Sequence, residues 1–249
     1  MKVSRLLWAA ALVLLLLFAL LLNAPARLLG AVLPEGQVIM QGFAGTLWRG
    51  SASQCMLRVP AGYMHLGVVR WSLDPLSLLA FAPRLELTSH WGNQLVEGEL
   101  VLRGARDLDV HDLQARVQAD ILRHFAPVAI DGQLSLQVNA LVLRDGLPFS
   151  GDGRLVWERA VWFAPRGPVA LGTYALDFMQ AEEEPLLGEV LTLDGPLEAT
   201  GNLRLEERRY ELDVLISSEE TMERKLARML ELVAAPEGDG FRISLDGEF

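Results

Sequence analysis

Residues 132–140 have the sequence Gly-Gln-Leu-Ser-Leu-Gln-Val-Asn-Ala, which has the alternating pattern of a β-strand. Every second residue from Leu134 to Val138 is aliphatic, and the residues between them are polar. Successive side chains of a β-strand point to opposite faces, so a strand here has one apolar and one polar face. Antiparallel sheets are built from such strands, with one face packed and the other in water.

The same period of two recurs along much of the chain and predicts a mainly β protein with a highly twisted, mostly antiparallel sheet. Asp-Gly pairs, which suit tight hairpin turns, separate many of the strands. A glycine followed one residue later by alternating apolar residues recurs at irregular spacing, which indicates a meandering sheet rather than a solenoid. The other apolar faces are Leu113, Ala115, Val117 and Ala119; Tyr210, Leu212, Val214 and Ile216; and Phe241, Ile243 and Leu245. The Asp-Gly pairs begin at Asp131, Asp145, Asp152, Asp194, Asp239 and Asp246, and the recurring glycines are Gly98, Gly132, Gly153 and Gly201.

Two other segments have helical signals. Ser77–Phe81 follows Asp74-Pro75 and is predicted to form a turn. A short amphipathic helix is predicted over 219–234, because Ser217 and Glu220 have capping-box spacing. Its apolar stripe packs on the sheet in the simpler hypothesis and binds a partner in the alternative. The stripe consists of Met222, Leu226, Met229, Leu230 and Val233, and Pro236 and Gly238 end the helix.

The N-terminal segment carries the strongest physical signal. Lys2 and Arg5 precede a run from Leu6 to Leu22 that contains no charge. As a helix these 17 residues span roughly 26 Å, close to the thickness of a bilayer's hydrocarbon core. We therefore expect residues 1–5 to be a cytoplasmic tail, residues 6–22 a transmembrane signal-anchor, and residues 23–249 a periplasmic β domain of an inner-membrane protein. The anchor residues are Leu6, Trp8, Leu14, Phe18 and Leu22.

A cleaved signal peptide is the alternative for this segment. Ala24-Pro25-Ala26 loosely imitates a small-residue cleavage site. The apolar run is longer than the usual ~7–15 residues of a signal peptide, and proline in the site is unfavourable. Both hypotheses export the rest of the chain.

Composition excludes several functional classes. The net charge is −10, which argues against nucleic acid as a partner and against general adsorption to anionic lipid. Cys55 is the one cysteine, so an internal disulfide is impossible, and a buried apolar role is the simpler expectation. No zinc, serine-hydrolase or phosphate-loop motif occurs, and we expect no enzymatic activity, metal or cofactor. The densest set of potential ligands, around Asp109 and His111, is expected to be a solvated strand face.

The segment Gly42-Phe43-Ala44-Gly45-Thr46-Leu47-Trp48-Arg49-Gly50-Ser51-Ala52 is distinctive, as is 69–79, Val-Arg-Trp-Ser-Leu-Asp-Pro-Leu-Ser-Leu-Leu. Together they resemble type II secretion system protein N, whose members look like G-x-x-G-T-L-W-x-G-x-A followed by W-x-L-x-P-x-x-L-L. Gly153-Arg154-Leu155-Val156-Trp157-Glu158-Arg159-Ala160 also fits. The resemblance covers nearly the whole chain.

The resemblance implies an accessory inner-membrane component that helps to move folded exoproteins across the outer membrane through contacts with other secretion components. It implies no catalytic residue. It also suggests kinship with curved-sheet proteins of the AsmA type, so the alternative function is a periplasmic lipid-handling or bridge-like protein with a bound lipid. The expected partners are other type II secretion components and, through residues 6–22, inner-membrane lipid.

Trp48 and Trp71, with Arg49 and Arg70 beside them, are the candidate interaction residues. Tryptophan and arginine are favoured at the centres of protein interfaces. The simpler hypothesis is that the two tryptophans are core aromatics that close the sheet near the membrane.

Overall fold

A computed structural model describes residues 2–33, 36–59, 62–124, 129–164, 167–218, 230 and 234–248. Within these ranges it leaves out the side chains of residues 2–7, 9, 10, 18, 32, 124 and 164. The predicted helix over 219–234 therefore lies outside the described residues, except for Leu230, which is buried, and Ala234.

The chain begins with helix α1, Lys2–Leu22, followed by a 3-10 turn at Ala26–Leu28 and the one-turn helix α2, Leu29–Val32. Trp8, Leu14 and Leu22 are exposed on α1. Counting only described residues, no helix reaches the length and hydropathy of a membrane-crossing segment.

The rest of the described chain is one open antiparallel sheet, as the alternating pattern predicts. Strands β1 to β12 pair in chain order, and β14 then pairs with β12 and carries the short edge strand β13. Two further 3-10 turns lie at Ser77–Ala80, where a turn is predicted, and at Ala119–His124. The strands are β1 Val38–Gly45, β2 Arg49–Val59, β3 Gly62–Leu73, β4 Arg84–Trp91, β5 Gln94–Leu102, β6 Leu108–Gln118, β7 Ile130–Arg144, β8 Leu147–Ala164, β9 Gly167–Gln180, β10 Leu186–Asp194, β11 Glu198–Glu206, β12 Arg209–Ser217, β13 Ala235–Glu237 and β14 Gly240–Glu248.

The strand register gives the sheet an apolar face and a polar face. Directly paired residues lie on the same face, so the pairs can be followed to β14 as two continuous rows, one that starts on β1 and one that starts on β2. The apolar row is Phe43, Ala52, Val69, Ser89, Val96, Ala115, Leu136, Leu155, Leu176, Val190, Gly201, Val214 and Ile243. The polar row, one residue along, is Ser51, Arg70, Thr88, Glu97, Gln114, Gln137, Arg154, Asp177, Glu189, Asn202, Asp213 and Ser244.

The apolar face is best buried at the end of the sheet nearest α1. There Ala26, Ala52, Cys55, Val69 and Trp71 form a core cluster, and the partly buried side chains of the neighbouring strands pack against it. The simpler expectation for Cys55, a buried apolar role, agrees with this position. Along the middle strands the apolar row is only half-buried, because no second sheet lies on it among the described residues.

The recurring glycines lie within strands. Gly98, Gly153 and Gly201 lie inside β5, β8 and β11, and Gly132 lies at a register shift in β7. A Cβ on Gly153 would lie 2.5 Å from Cζ of Phe178 on the next strand. Glycine here makes room for a large side chain on the neighbouring strand, which sequence spacing alone does not distinguish from a turn.

Three of the six Asp-Gly pairs mark connections between strands, at Asp145, Asp194 and Asp239. The pairs that begin at Asp131, Asp152 and Asp246 lie within strands, where the hairpin prediction is wrong.

Candidate interaction site

The glycine-rich motif around Trp48 forms the end of β1, a tight turn and the start of β2. Gly45 has φ 83°, a left-handed conformation that favours glycine. The Thr46 backbone N–H donates to the carbonyl oxygen of Arg49 at 2.8 Å, and the Arg49 N–H donates to Oγ1 of Thr46 at 3.1 Å. The turn therefore fixes the position of Leu47 and Trp48 between the two strands.

Trp48 joins this turn to the end of α1. Its indole Nε1 donates a hydrogen bond to the carbonyl oxygen of Leu21 at 2.8 Å, and its side chain is 9% exposed. The neighbouring Leu47 N–H donates to the carbonyl oxygen of Ala24 at 2.7 Å. On the other side, the Leu73 N–H donates to the carbonyl oxygen of Trp48 at 2.7 Å. Trp48 thus connects α1, the β1–β2 turn and the end of β3.

Trp71 lies next to the β1–β2 turn, on the apolar face of the sheet. It is 6% exposed, and its Nε1 donates to the carbonyl oxygen of Leu47 at 3.0 Å. The ring of Phe43 packs against it edge to face, with the ring centroids 6.4 Å apart. Gly50 is the residue paired with Trp71 on β2, and a Cβ there would lie 2.5 Å from Cζ2 of the indole. The last glycine of the motif is therefore needed to seat this ring.

Arg49 and Arg70 lie on the other face of the sheet. Arg70 belongs to the polar row, and Arg49 precedes Ser51 of that row by two residues. Both side chains are exposed, and neither forms an ion pair with a described residue. The sequence places the four candidate residues side by side, whereas the structure buries the two tryptophans and exposes the two arginines. Alternation along the strands could have predicted that each tryptophan and its neighbouring arginine lie on different faces, because adjacent residues of a strand point to opposite faces.

Asp109 corrects the expectation of a solvated face. Its carboxylate is buried and accepts hydrogen bonds from Nε of Arg103 and Nη1 of Arg144, each at 2.8 Å. Burial raises the pKa of Asp109, but the hydrogen bonds and charges of Arg144 and Arg103 outweigh it and hold the pKa below its usual range. The group ties the β5–β6 loop to β7. Among the described residues, no group of acidic, histidine or cysteine side chains could hold a metal ion.

Sequence reasoning missed an exposed apolar loop between β3 and β4. Leu76, Leu79 and Phe81 project from this loop into solvent. A signal was present, since residues 75–83 contain no charge although they form a connection between strands.

Comparison with known proteins agrees with the motif. Residues 36–244 match the family model described as type II secretion system (T2SS), protein N. A type II secretion system protein N of Aeromonas hydrophila is 27% identical over 231 residues, which cover 89% of each chain. Another of that name, from Pectobacterium carotovorum subsp. carotovorum, is 31% identical over 156 residues, which cover 60% of this chain and 59% of the relative.

No solved structure matches the chain significantly. The family model, by contrast, covers every described strand in whole or in part. The chain belongs to the type II secretion system protein N family.

Proposed function

We propose that this chain is an accessory inner-membrane component of a type II secretion system, which supports the export of folded exoproteins across the outer membrane through protein–protein contacts. Membership of the protein N family and the names of the two relatives support a role in type II secretion. The partners in this proposal are other components of the secretion apparatus. The chain acts as a scaffold and uses no cofactor.

In this proposal α1 is the anchor, residues 1–5 are cytoplasmic and residues 23–249 are periplasmic. The support is the uncharged run Leu6–Leu22, the basic residues Lys2 and Arg5 before it, and the exposed leucines of α1. The hydrogen bond from Trp48 to Leu21 then attaches the start of the sheet to the end of the anchor.

The single observation that carries the contact role is the pair of exposed arginines on the polar face. Arg49 and Arg70 lie on neighbouring strands over the buried Trp71, and no described acidic side chain neutralises them. Arginine with a rigid backing is suited to bind a carboxylate on a partner protein. We assign Arg49 and Arg70 as the partner contact, with the two tryptophans as their support.

Deletion of the gene tests the function. We expect the deletion to lower the amount of extracellular exoprotein while export into the periplasm continues, and the wild-type chain to restore secretion. Co-purification of the full chain with other secretion components is expected. Normal secretion by the deletion strain, together with sensitivity to detergent or vancomycin, would contradict the proposal and indicate an outer-membrane lipid defect.

The half-buried apolar row along β7 to β10 is the one observation that favours the alternative, a lipid-handling protein. Leu136, Leu155, Leu176 and Val190 form a continuous apolar strip without a covering layer among the described residues. The comparisons give this alternative no support. Native mass spectrometry of the detergent-extracted chain tests it, because a lipid-handling protein is expected to retain lipid in defined stoichiometry.

A further inference from the structure

The loop between β3 and β4 displays three large apolar side chains to solvent. Leu76 is 73% exposed, Leu79 is 78% exposed and Phe81 is 90% exposed. We call these three residues the apolar tip. Single exposed apolar residues are ordinary, but three large ones within six residues of an uncharged loop form a patch of the kind that marks an interaction surface.

Hydrogen bonds hold the loop that carries the apolar tip. The Asp74 backbone N–H donates to the carbonyl oxygen of Arg84 at 3.0 Å, and the Arg84 N–H donates to Oγ of Ser77 at 2.8 Å. The carboxylate of Asp74 accepts the Leu76 N–H at 3.0 Å. Phe81 has φ 54°, a left-handed conformation that is uncommon for a residue with a side chain. The loop is thus closed at its base, and its apolar residues point away from the sheet instead of folding back on it.

The tip lies at the same end of the strands as the connection to α1. Leu73, the last residue of β3, donates its N–H to the carbonyl oxygen of Trp48, whose indole donates to Leu21 near the end of α1. The start of the loop and the end of the helix are therefore both joined to Trp48. The leucines of α1 from Leu12 to Leu22 are largely exposed, so the helix does not pack on the sheet and contacts it through the β1–β2 turn.

An arginine flanks the same end of α1. Arg27 follows α1 and is exposed without an ion pair to a described residue. The net charge of −10 argues against adsorption of the whole domain to anionic lipid, so a contact with lipid would have to be local. Apolar side chains near an arginine such as Arg27 match a membrane interface, where acyl chains lie beside anionic headgroups.

We propose that the apolar tip is a second membrane contact, which enters the lipid interface beside α1. The inference rests on the proposed anchoring by α1, because only an anchored chain brings the loop to a bilayer. With α1 and the tip both in the membrane, the sheet has two points of attachment, and its tilt relative to the bilayer is fixed rather than free.

Site-directed spin labelling of the full chain in proteoliposomes of phosphatidylethanolamine and phosphatidylglycerol tests the proposal. The labelled variant is Leu79→Cys, and Asn93→Cys is the matched control. Asn93 is exposed in the turn at the opposite end of β4, roughly 25 Å away along the strand. Cys55 is 1% exposed and stays in place, with the unlabelled wild type as background.

We expect the label at residue 79 to be more accessible to oxygen, which partitions into lipid, than to a water-soluble nickel chelate. The label at residue 93 should show the reverse order. An aqueous profile at residue 79 in carbonate-resistant proteoliposomes would overturn the inference and leave the anchor standing. A label at residue 79 shielded from both reagents would also overturn it, and would indicate a protein contact instead. Extraction of the chain by carbonate would overturn the anchor and this inference together.

Discussion

The indole of Trp48 donates its N–H to the carbonyl oxygen of Leu21, so one side chain connects the end of α1 to the first turn of the sheet. The Leu21 carbonyl oxygen also accepts the Ala24 backbone N–H at 3.1 Å, so the indole adds a second hydrogen bond to a carbonyl group in the last turn of the helix. Trp48 is therefore both a buried residue and a hydrogen-bond donor to the end of α1. Substitutions here are expected to affect the whole domain.

Replacement of Trp48 by alanine should lower the free energy of unfolding by about 3–5 kcal/mol, since a large buried aromatic leaves a cavity. Thermal denaturation of the purified chain and immunoblots of cell extracts measure the effect. The free energy of unfolding of Trp48→Phe should lie between those of the wild type and Trp48→Ala, because phenylalanine keeps much of the ring volume but loses the hydrogen bond.

Trp91→Ala is the matched control. Trp91 is 53% exposed and stacks on His65, with the ring centroids 5.7 Å apart. We expect its removal to cost no more than about 1.5 kcal/mol. If Trp48→Ala left abundance and melting temperature at wild-type values while assembly was lost, Trp48 would be an interface residue and the assignment to the core would be wrong.

Gly50→Ala should also destabilise the domain, by about 1–3 kcal/mol, because a Cβ there meets the Trp71 ring at 2.5 Å and the Thr46 carbonyl oxygen at 2.7 Å. The control is Gly30→Ala in α2, whose new Cβ would lie no closer than 3.4 Å to Phe43. The measurement is the midpoint of urea denaturation of each variant. Equal midpoints for the two variants would show that the motif glycine is not required for packing.

Alternation was sufficient to predict several of the strands, because the period of side chains in a sheet depends on backbone geometry alone. The stretch around Leu136 and the apolar faces of β6, β12 and β14 follow from it. The packing role of the glycines within strands does not follow from alternation. Gly153 accommodates Phe178, which is distant in the sequence, and no local pattern can report which residue the register will bring opposite.

The site was predicted in part. The motif identifies Trp48 and Trp71, but their burial depends on α1 and on Phe43, which the motif spacing does not place. Asp109 is a similar case. A carboxylate in an alternating strand is expected in solvent, and only the approach of Arg103 and Arg144 makes its burial favourable.

Asp109→Asn should lower the free energy of unfolding at pH 7 by about 1–3 kcal/mol, since it weakens two charge-assisted hydrogen bonds in a buried position. The pKa of Asp109 is held below its usual range, so the carboxylate is charged in the folded protein at a pH where the unfolded chain is already protonated. Its stabilising contribution is therefore complete above about pH 4–5 and is lost as the pH falls through the folded-state pKa.

Denaturation curves at pH 7 and at a series of acidic pH values measure both parts of this prediction. The difference between wild type and Asp109→Asn should shrink as the pH falls below about 4. Asp145→Asn is the control, because Asp145 is an exposed turn residue whose left-handed backbone asparagine also tolerates. A constant difference across the pH range would refute the role of the carboxylate charge.

The last prediction concerns the partner contact. The double variant Arg49→Ala, Arg70→Ala should keep the melting temperature and abundance of the wild type, because both side chains are exposed and substitutions at such sites usually change the free energy of unfolding by less than about 0.5 kcal/mol. If the pair contacts a secretion component, its loss should weaken co-purification about tenfold or more and lower extracellular exoprotein.

Arg116→Ala is the matched control, since Arg116 is an exposed arginine two residues from Gln114 of the polar row, on β6. Secretion at the wild-type level in the double variant would remove Arg49 and Arg70 from the proposed contact. An equal loss in Arg116→Ala would show that the positive charge of the polar face matters as a whole, rather than at the two residues above Trp71.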